Sequence, residues 1–125
     1  MRKLLLAAPA LALISVTAAA APKRDRVPAA TPVGKPVTCI QLSQIRESQV
    51  RSDRVIDFRA TGKRWYRVTL PQSCPGLGFE KRFSYQTSLN QLCSADIITV
   101  LQQAPVMRGA SCGLAPFQPV TIARR

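Results

Sequence analysis

Four cysteines, Cys39, Cys74, Cys93 and Cys112, constrain this chain more than any other feature it carries. An even number of widely spaced cysteines in a small exported chain is read as a disulfide framework, and four thiols allow three pairings. Export is expected from the first residues. Arg2 and Lys3 precede an apolar run over residues 4–16 and an alanine-rich stretch ending at Ala21, the parts of a secretory signal peptide. The run is shorter than the roughly 20 residues of a spanning helix. Cleavage after Ala20 keeps Pro22 off the first mature position, and no cysteine follows to carry a lipid. The expected destination is the periplasm or the exterior, with no transmembrane span in the mature protein.

The wide spacings contain no Cys-x-x-Cys and fit no common zinc module, so neither metal nor redox cofactor is expected. A weak echo, cysteine followed by leucine and then a further apolar residue, links residues 39–45 with residues 112–117. It suggests Cys39 with Cys112, tying the first strand to the last, and Cys74 with Cys93.

Removing the leader leaves 105 of 125 residues, enough for one domain with a modest core. Lys and Arg number 18 against six acids, and losing Arg2 and Lys3 lowers the formal charge from +12 to +10. Without histidine this charge barely changes between pH 5 and 8. A permanent polycation is drawn to anionic surfaces. Export makes nucleic acid an unexpected partner and leaves an anionic envelope polymer or a lipid surface. Residues 21–36 hold prolines at 22, 28, 32 and 36 among Lys23, Arg24, Arg26 and Lys35. They read as a disordered basic tether with little to bury. Residues 124–125 read as a basic tail.

Residues 37–123 carry mostly period-two patterning, the mark of strands. Ile45 breaks the alternation begun by Ile40 and Leu42, which suggests a turn or bulge. Residues 54–59 place Ile56 and Phe58 on one face, and residues 64–70 place Tyr66, Val68 and Leu70 inward. Faces must match across an antiparallel pair. A two-residue loop at Thr61-Gly62 fails that test. A three-residue loop with Gly62 left-handed passes, either as residues 60–62, with Asp57 opposite Trp65, or shifted by one, with Asp57 opposite Arg67. The stretch 70–79, with two prolines and two glycines, should turn the chain under the hold of Cys74. Further strands are expected over residues 81–87, 92–101 and 111–122, with a loop over 102–109. Pro116 and Pro119 assign the last strand to an edge or a bulge. The expected fold is all-β, a small barrel or two-layer sandwich of about six short antiparallel strands stapled by two disulfides.

Gly109-Ala110-Ser111-Cys112-Gly113 matches the Gly-x-Ser-x-Gly nucleophile elbow, but that motif needs a strand-turn-helix setting and a base, and histidine is absent. The carboxylates Glu47, Asp53, Asp57, Glu80 and Asp96 are dispersed. Asp57 with Arg67 or Arg59 reads as a surface pair of about 0 to 1 kcal/mol, and Asp96 as a turn cap. No catalytic residue emerges, and Gly76-Leu77-Gly78 is only a weak anion nest. The best binding candidate is the outward face of the central hairpin, Arg59, Lys63, Arg64, Trp65 and Arg67, where cations flank an aromatic.

The framework Cys39-Ile40-x-Leu42-x-x-Ile45, Arg54-x-Ile56-Asp57-Phe58, Leu70-x-x-x-Cys74-Pro75-Gly76-Leu77, Leu92-Cys93-x-x-Asp96 and Cys112-x-Leu114-x-x-Phe117 resembles an uncharacterised family of small exported bacterial proteins, a domain of unknown function. The resemblance covers residues 37–120 and implies no active site, cofactor or ligand. The expected role is that of a non-enzymatic binding or accessory module for an anionic envelope component. The alternative is a small periplasmic hydrolase or an enzyme inhibitor.

Overall fold

A computed structural model describes residues 9–15, 27–103 and 106–123. Among the described residues ten strands and one α-helical turn follow one another as β1 (Ala30–Pro32), β2 (Cys39–Gln41), β3 (Ile45–Val50), β4 (Val55–Ala60), β5 (Arg64–Thr69), α1 (Leu77–Glu80), β6 (Phe83–Tyr85), β7 (Gln91–Cys93), β8 (Ile97–Gln103), β9 (Val106–Gly113) and β10 (Gln118–Ile122). They form a five-stranded sheet in the order β1-β10-β5-β4-β3, a three-stranded sheet β6-β8-β9 and a two-stranded ribbon β2-β7. Every pairing is antiparallel. The all-β expectation holds, and the open sheets make a sandwich-like arrangement. No sheet closes into a barrel among the described residues.

The β4–β5 hairpin follows from face matching. Its connection is residues 61–63, with Ile56 opposite Val68 and Asp57 opposite Arg67, the second of the two allowed registers. Gly62 at φ 72° and Lys63 at φ 59° both take the left-handed conformation that closes the loop. Ile45 behaves as its broken alternation implies. A 3-10 turn over Leu42–Gln44 precedes it, and the β3–β4 register shifts between Ile45 and Glu47.

Ile56, Phe58 and Val68 on the inner face of the large sheet meet Ile98 and Val100 of the small one in a single buried cluster with Leu70, Leu77, Leu92, Leu114 and Phe117. Burial stabilises each such side chain by about 1.5 to 3 kcal/mol. The Phe58 ring packs edge-on against Phe117 at 5.6 Å and Phe83 at 6.3 Å, which joins the two sheets.

Several boundaries differ from expectation. Residues 92–101 are two strands, because Ser94 and Ala95 turn the chain and Asp96 secures the turn. The expected loop over 102–109 is largely strand, with β8 and β9 forming a hairpin. Residues 111–122 contribute to β9 and then to β10, and β10 is flanked on both sides. Pro119 is tolerated there because its carbonyl faces β1 and accepts the Val33 N–H at 3.0 Å, so its missing donor affects only that side. Residues 27–36 are not a loose tether. β1 pairs with β10 from Ala30 to Pro32, and the Val37 bridge to Phe117 extends the contact. Residues 21–26 and 124–125 lie outside the described residues.

The disulfides join Cys39 to Cys93 and Cys74 to Cys112, which overturns the expected pairing. Cys39 and Cys93 stand opposite each other in the β2–β7 ribbon, with Cα atoms 4.0 Å apart. That is the close spacing of a non-hydrogen-bonded antiparallel pair. The echo that suggested otherwise is out of step: leucine comes three residues after Cys39 and two after Cys112.

Candidate functional site

Alternation along β3, β4, β5 and β10 assigns two rows of side chains to the outer face of the large sheet. Gln49, Asp57, Arg67 and Gln118 form one, and Glu47, Arg59, Trp65 and Val120 the other. Asp57 points outward as the pattern requires, yet its side chain is fully buried. Arg51 donates from Nε to Oδ2 at 2.8 Å, while Arg67 donates from Nε to Oδ1 at 2.8 Å and from Nη2 to Oδ2 at 3.0 Å. The expected surface pair is therefore a buried three-residue ion cluster. Arg51 also lies 5.9 Å from the Trp65 ring centroid, within cation–π range, and helps roof the carboxylate.

The neighbouring row is wetter. Arg59 Nε lies 3.1 Å from Glu47 Oε1, with both side chains about two-fifths exposed. Its Nε–H is shielded from water without a well-directed acceptor, so the pair is held by charge proximity and not by a hydrogen bond. Beside it runs a groove of about 460 Å³ lined by Arg59, Lys63 and Trp65 on one flank and by Val120 and Ile122 of β10 on the other. Two cations, an indole and the apolar side chains of β10 thus meet in one concavity.

The structure brings together Arg59, Lys63 and Trp65 from the expected surface, and separates the other two. Arg67 is committed to Asp57. Arg64 stands opposite Ala60, on the face shared by Tyr66 and Val68, and its Nε donates back to the Thr61 carbonyl at 3.3 Å. Period two alone assigns Arg64 to that face, since it is one residue from Trp65. Val120 and Ile122 fall within the strand expected over residues 111–122, but its prolines assigned that strand to an edge or a bulge and gave it no place beside Trp65.

The remaining motifs resolve structurally. The Gly-x-Ser-x-Gly match lies within β9, where Ser111 Oγ is 3.0 Å from Thr99 Oγ1 across the strands and Cys112 is in a disulfide. Gly109 belongs to an irregularity in the β8–β9 register, and a Cβ there would come within 3.2 Å of Val100. Asp96 Oδ2 accepts the Cys93 N–H at 2.7 Å, a turn cap. No group of acids, cysteines and histidines capable of holding a metal occurs among the described residues.

The stretch 70–79 has a built interior. Asp53, in the β3–β4 turn, accepts the Gly78 N–H on Oδ1 at 2.7 Å and the Cys74 N–H on its backbone carbonyl at 2.8 Å. It is a tertiary cap on α1. Arg54 completes the anchoring by donating from Nε and Nη2 to the Leu70 carbonyl at 3.1 and 3.0 Å. Leu77 and Cys74 point inward and are fully buried, while Phe79 is 87% exposed.

No helix among the described residues is long and apolar enough to cross a membrane. No family model matches the chain, and no match is found among curated proteins or solved structures.

Proposed function

We propose that this chain is an exported, non-enzymatic binding or accessory module that holds an anionic polymer of the cell envelope in the groove beside Trp65. The observation that carries this reading is the meeting of Arg59 and Lys63 with Trp65 in a groove also lined by Val120 and Ile122. An acidic polysaccharide matches that chemistry: its charges face the two cations, and the apolar face of a sugar ring lies on the indole and the aliphatic side chains of β10. The +12 balance of the whole chain supports the sign of the ligand. The two disulfides fit a destination outside the cytosol.

Retention on immobilised polygalacturonate across a salt gradient tests it. The protein should elute earlier as ionic strength rises. Trp65→Ala should weaken binding about 5- to 150-fold, the range for loss of one stacking platform. Arg59→Gln with Lys63→Asn should remove most of the salt dependence, asparagine being tolerant of the left-handed backbone at position 63. Retention indifferent both to salt and to these changes would sink the reading.

A further inference from the structure

Phe79 is the most exposed aromatic among the described residues, and it projects from a rigid support. Below it, α1 is fixed from three directions. Cys74 is bonded to Cys112 of β9, Leu77 is fully buried, and Gly78 lies so close to the β3–β4 turn that a Cβ would stand 2.9 Å from Asp53 Oδ1. A freely moving loop could fold an apolar ring back onto the protein, but this turn holds it in water.

Its surroundings are cationic. Lys81 and Arg82 follow after Glu80 and are exposed. Leu101 donates its N–H to the Arg82 carbonyl at 3.1 Å and pairs with Arg108 in the β8–β9 register. Arg82 and Arg108 thus flank Leu101, two inter-strand steps or about 10 Å apart. None of the three cations makes an ion pair among the described residues. Met107, 53% exposed, sits one residue nearer the hairpin tip. The acids close by are Glu80, Asp53, which is engaged by Gly78, and Asp96, which lines a concavity with Arg108 and accepts the Cys93 N–H.

We propose that this end of the molecule docks on an anionic lipid bilayer. Phe79 enters the boundary between headgroups and acyl chains, and Lys81, Arg82 and Arg108 meet the phosphates. Charge complementarity selects that occupant. A projecting aromatic with exposed cations on the adjoining segment has the composition of an interfacial anchor, whereas a protein partner would call for a wider apolar patch around the ring. This surface is separate from the Trp65 groove and does not depend on it.

Flotation of the protein with phosphatidylcholine vesicles, and with vesicles containing equimolar phosphatidylglycerol, is the test. Binding is expected to the anionic vesicles only, and reversal by salt. Phe79→Ser should lower the partition coefficient at least about 10-fold, the value of burying one large apolar side chain, with Tm unchanged because the ring contacts little. Lys81→Asn, Arg82→Gln and Arg108→Gln together should lower it about 100-fold, near 5-fold for each cation. The groove variant Arg59→Gln/Lys63→Asn/Trp65→Ala should keep its dependence on Phe79. Three results would each overturn the proposal: no binding to anionic vesicles, Phe79→Ser binding like the parent, or the groove variant losing as much affinity as the Lys81, Arg82, Arg108 variant. The last would reduce the effect to adhesion by net charge.

Discussion

Trp65 and Phe79 are both aromatic residues set among cations, but their environments divide sharply. Around Trp65, Asp57 takes Arg51 and Arg67, Glu47 draws Arg59, and the indole itself lies under the Arg51 guanidinium. On the segment that follows Phe79 and its neighbouring strands, Lys81, Arg82 and Arg108 make no ion pair among the described residues, and the Phe79 ring stands in water. The same residue types thus serve two ends. Where the acid is buried, as Asp57 is, Arg51 and Arg67 become part of the architecture, while Arg59, whose pair with Glu47 is half-exposed, and Lys63 still line the groove. Where no acid pairs with the cations, the charge is left for a partner. The support differs as well: the hairpin face is held by sheet pairing, and the α1 turn by a disulfide, one aspartate and a close glycine contact.

The largest expected effect breaks the support of the α1 turn. Cys74→Ser with Cys112→Ser opens a cross-link spanning 38 residues, which in the chain-entropy account lowers stability by about 4 kcal/mol. Urea unfolding at equilibrium measures the loss. Amide exchange separates global from local effects: the N–H groups of Glu80 and Lys81, bonded to Gly76 and Leu77, should lose protection first, while the β4–β5 hairpin keeps its own. Equal loss in both regions would show that the turn and the sheet open as one unit, and the contrast in support would fail.

The next effect tests the hairpin face. Asp57→Asn leaves Arg51 and Arg67 facing each other without their carboxylate, and breaking a buried pair this way costs about 3 to 5 kcal/mol. Because the two arginines remain 21% and 15% exposed and can turn toward water, the lower end, about 3 kcal/mol, is expected. Glu47→Gln, at a half-exposed pair, should cost less than about 1 kcal/mol. Chemical denaturation of both variants checks the ratio. Similar costs would mean that burial, the feature separating the two rows, carries no weight.

Which parts of this were legible in the sequence depends on how locally each is determined. The β4–β5 hairpin could be read, to within one step of register, because Ile56, Phe58, Tyr66 and Val68 leave only matched faces. The burial of Asp57 could not, since Arg51 reaches it from the β3–β4 turn, whose geometry no periodicity records. β1 escaped notice because its strand character comes from the edge of β10 and not from Ala30, Thr31 or Pro32 themselves. The cysteine pairing failed for a related reason. Cys39 and Cys93 meet because their ribbons align, and an echo in residue types carries no information about alignment. Arg64, by contrast, was readable yet misassigned: its parity with Tyr66 puts it on the other face, against its grouping with Trp65.

The smallest effect concerns Gly78, where two opposing terms must be weighed. Its φ is not left-handed, so alanine would suit a helical position better than glycine by about 1 kcal/mol. Against this, the added Cβ would meet Asp53 Oδ1 at 2.9 Å, the Asp53 nitrogen at 3.1 Å and the Ser52 carbonyl carbon at 3.2 Å. Two of those atoms are backbone, and Asp53 is itself held by its bonds to Gly78 and Cys74, so the turn cannot easily give way. Overpacking of this kind costs about 1 to 3 kcal/mol. Gly78→Ala should therefore destabilise by about 1 kcal/mol net. Adding Asp53→Ala removes the carboxylate contact but not the backbone ones, so the double variant should be less destabilised than the sum of the singles. Strict additivity would place the resistance entirely in the backbone of the β3–β4 turn, and a stabilised single variant would show that α1 is free to shift. In that case the turn beneath Phe79 is no firmer than an ordinary loop, and the difference between the two aromatic sites rests on charge alone.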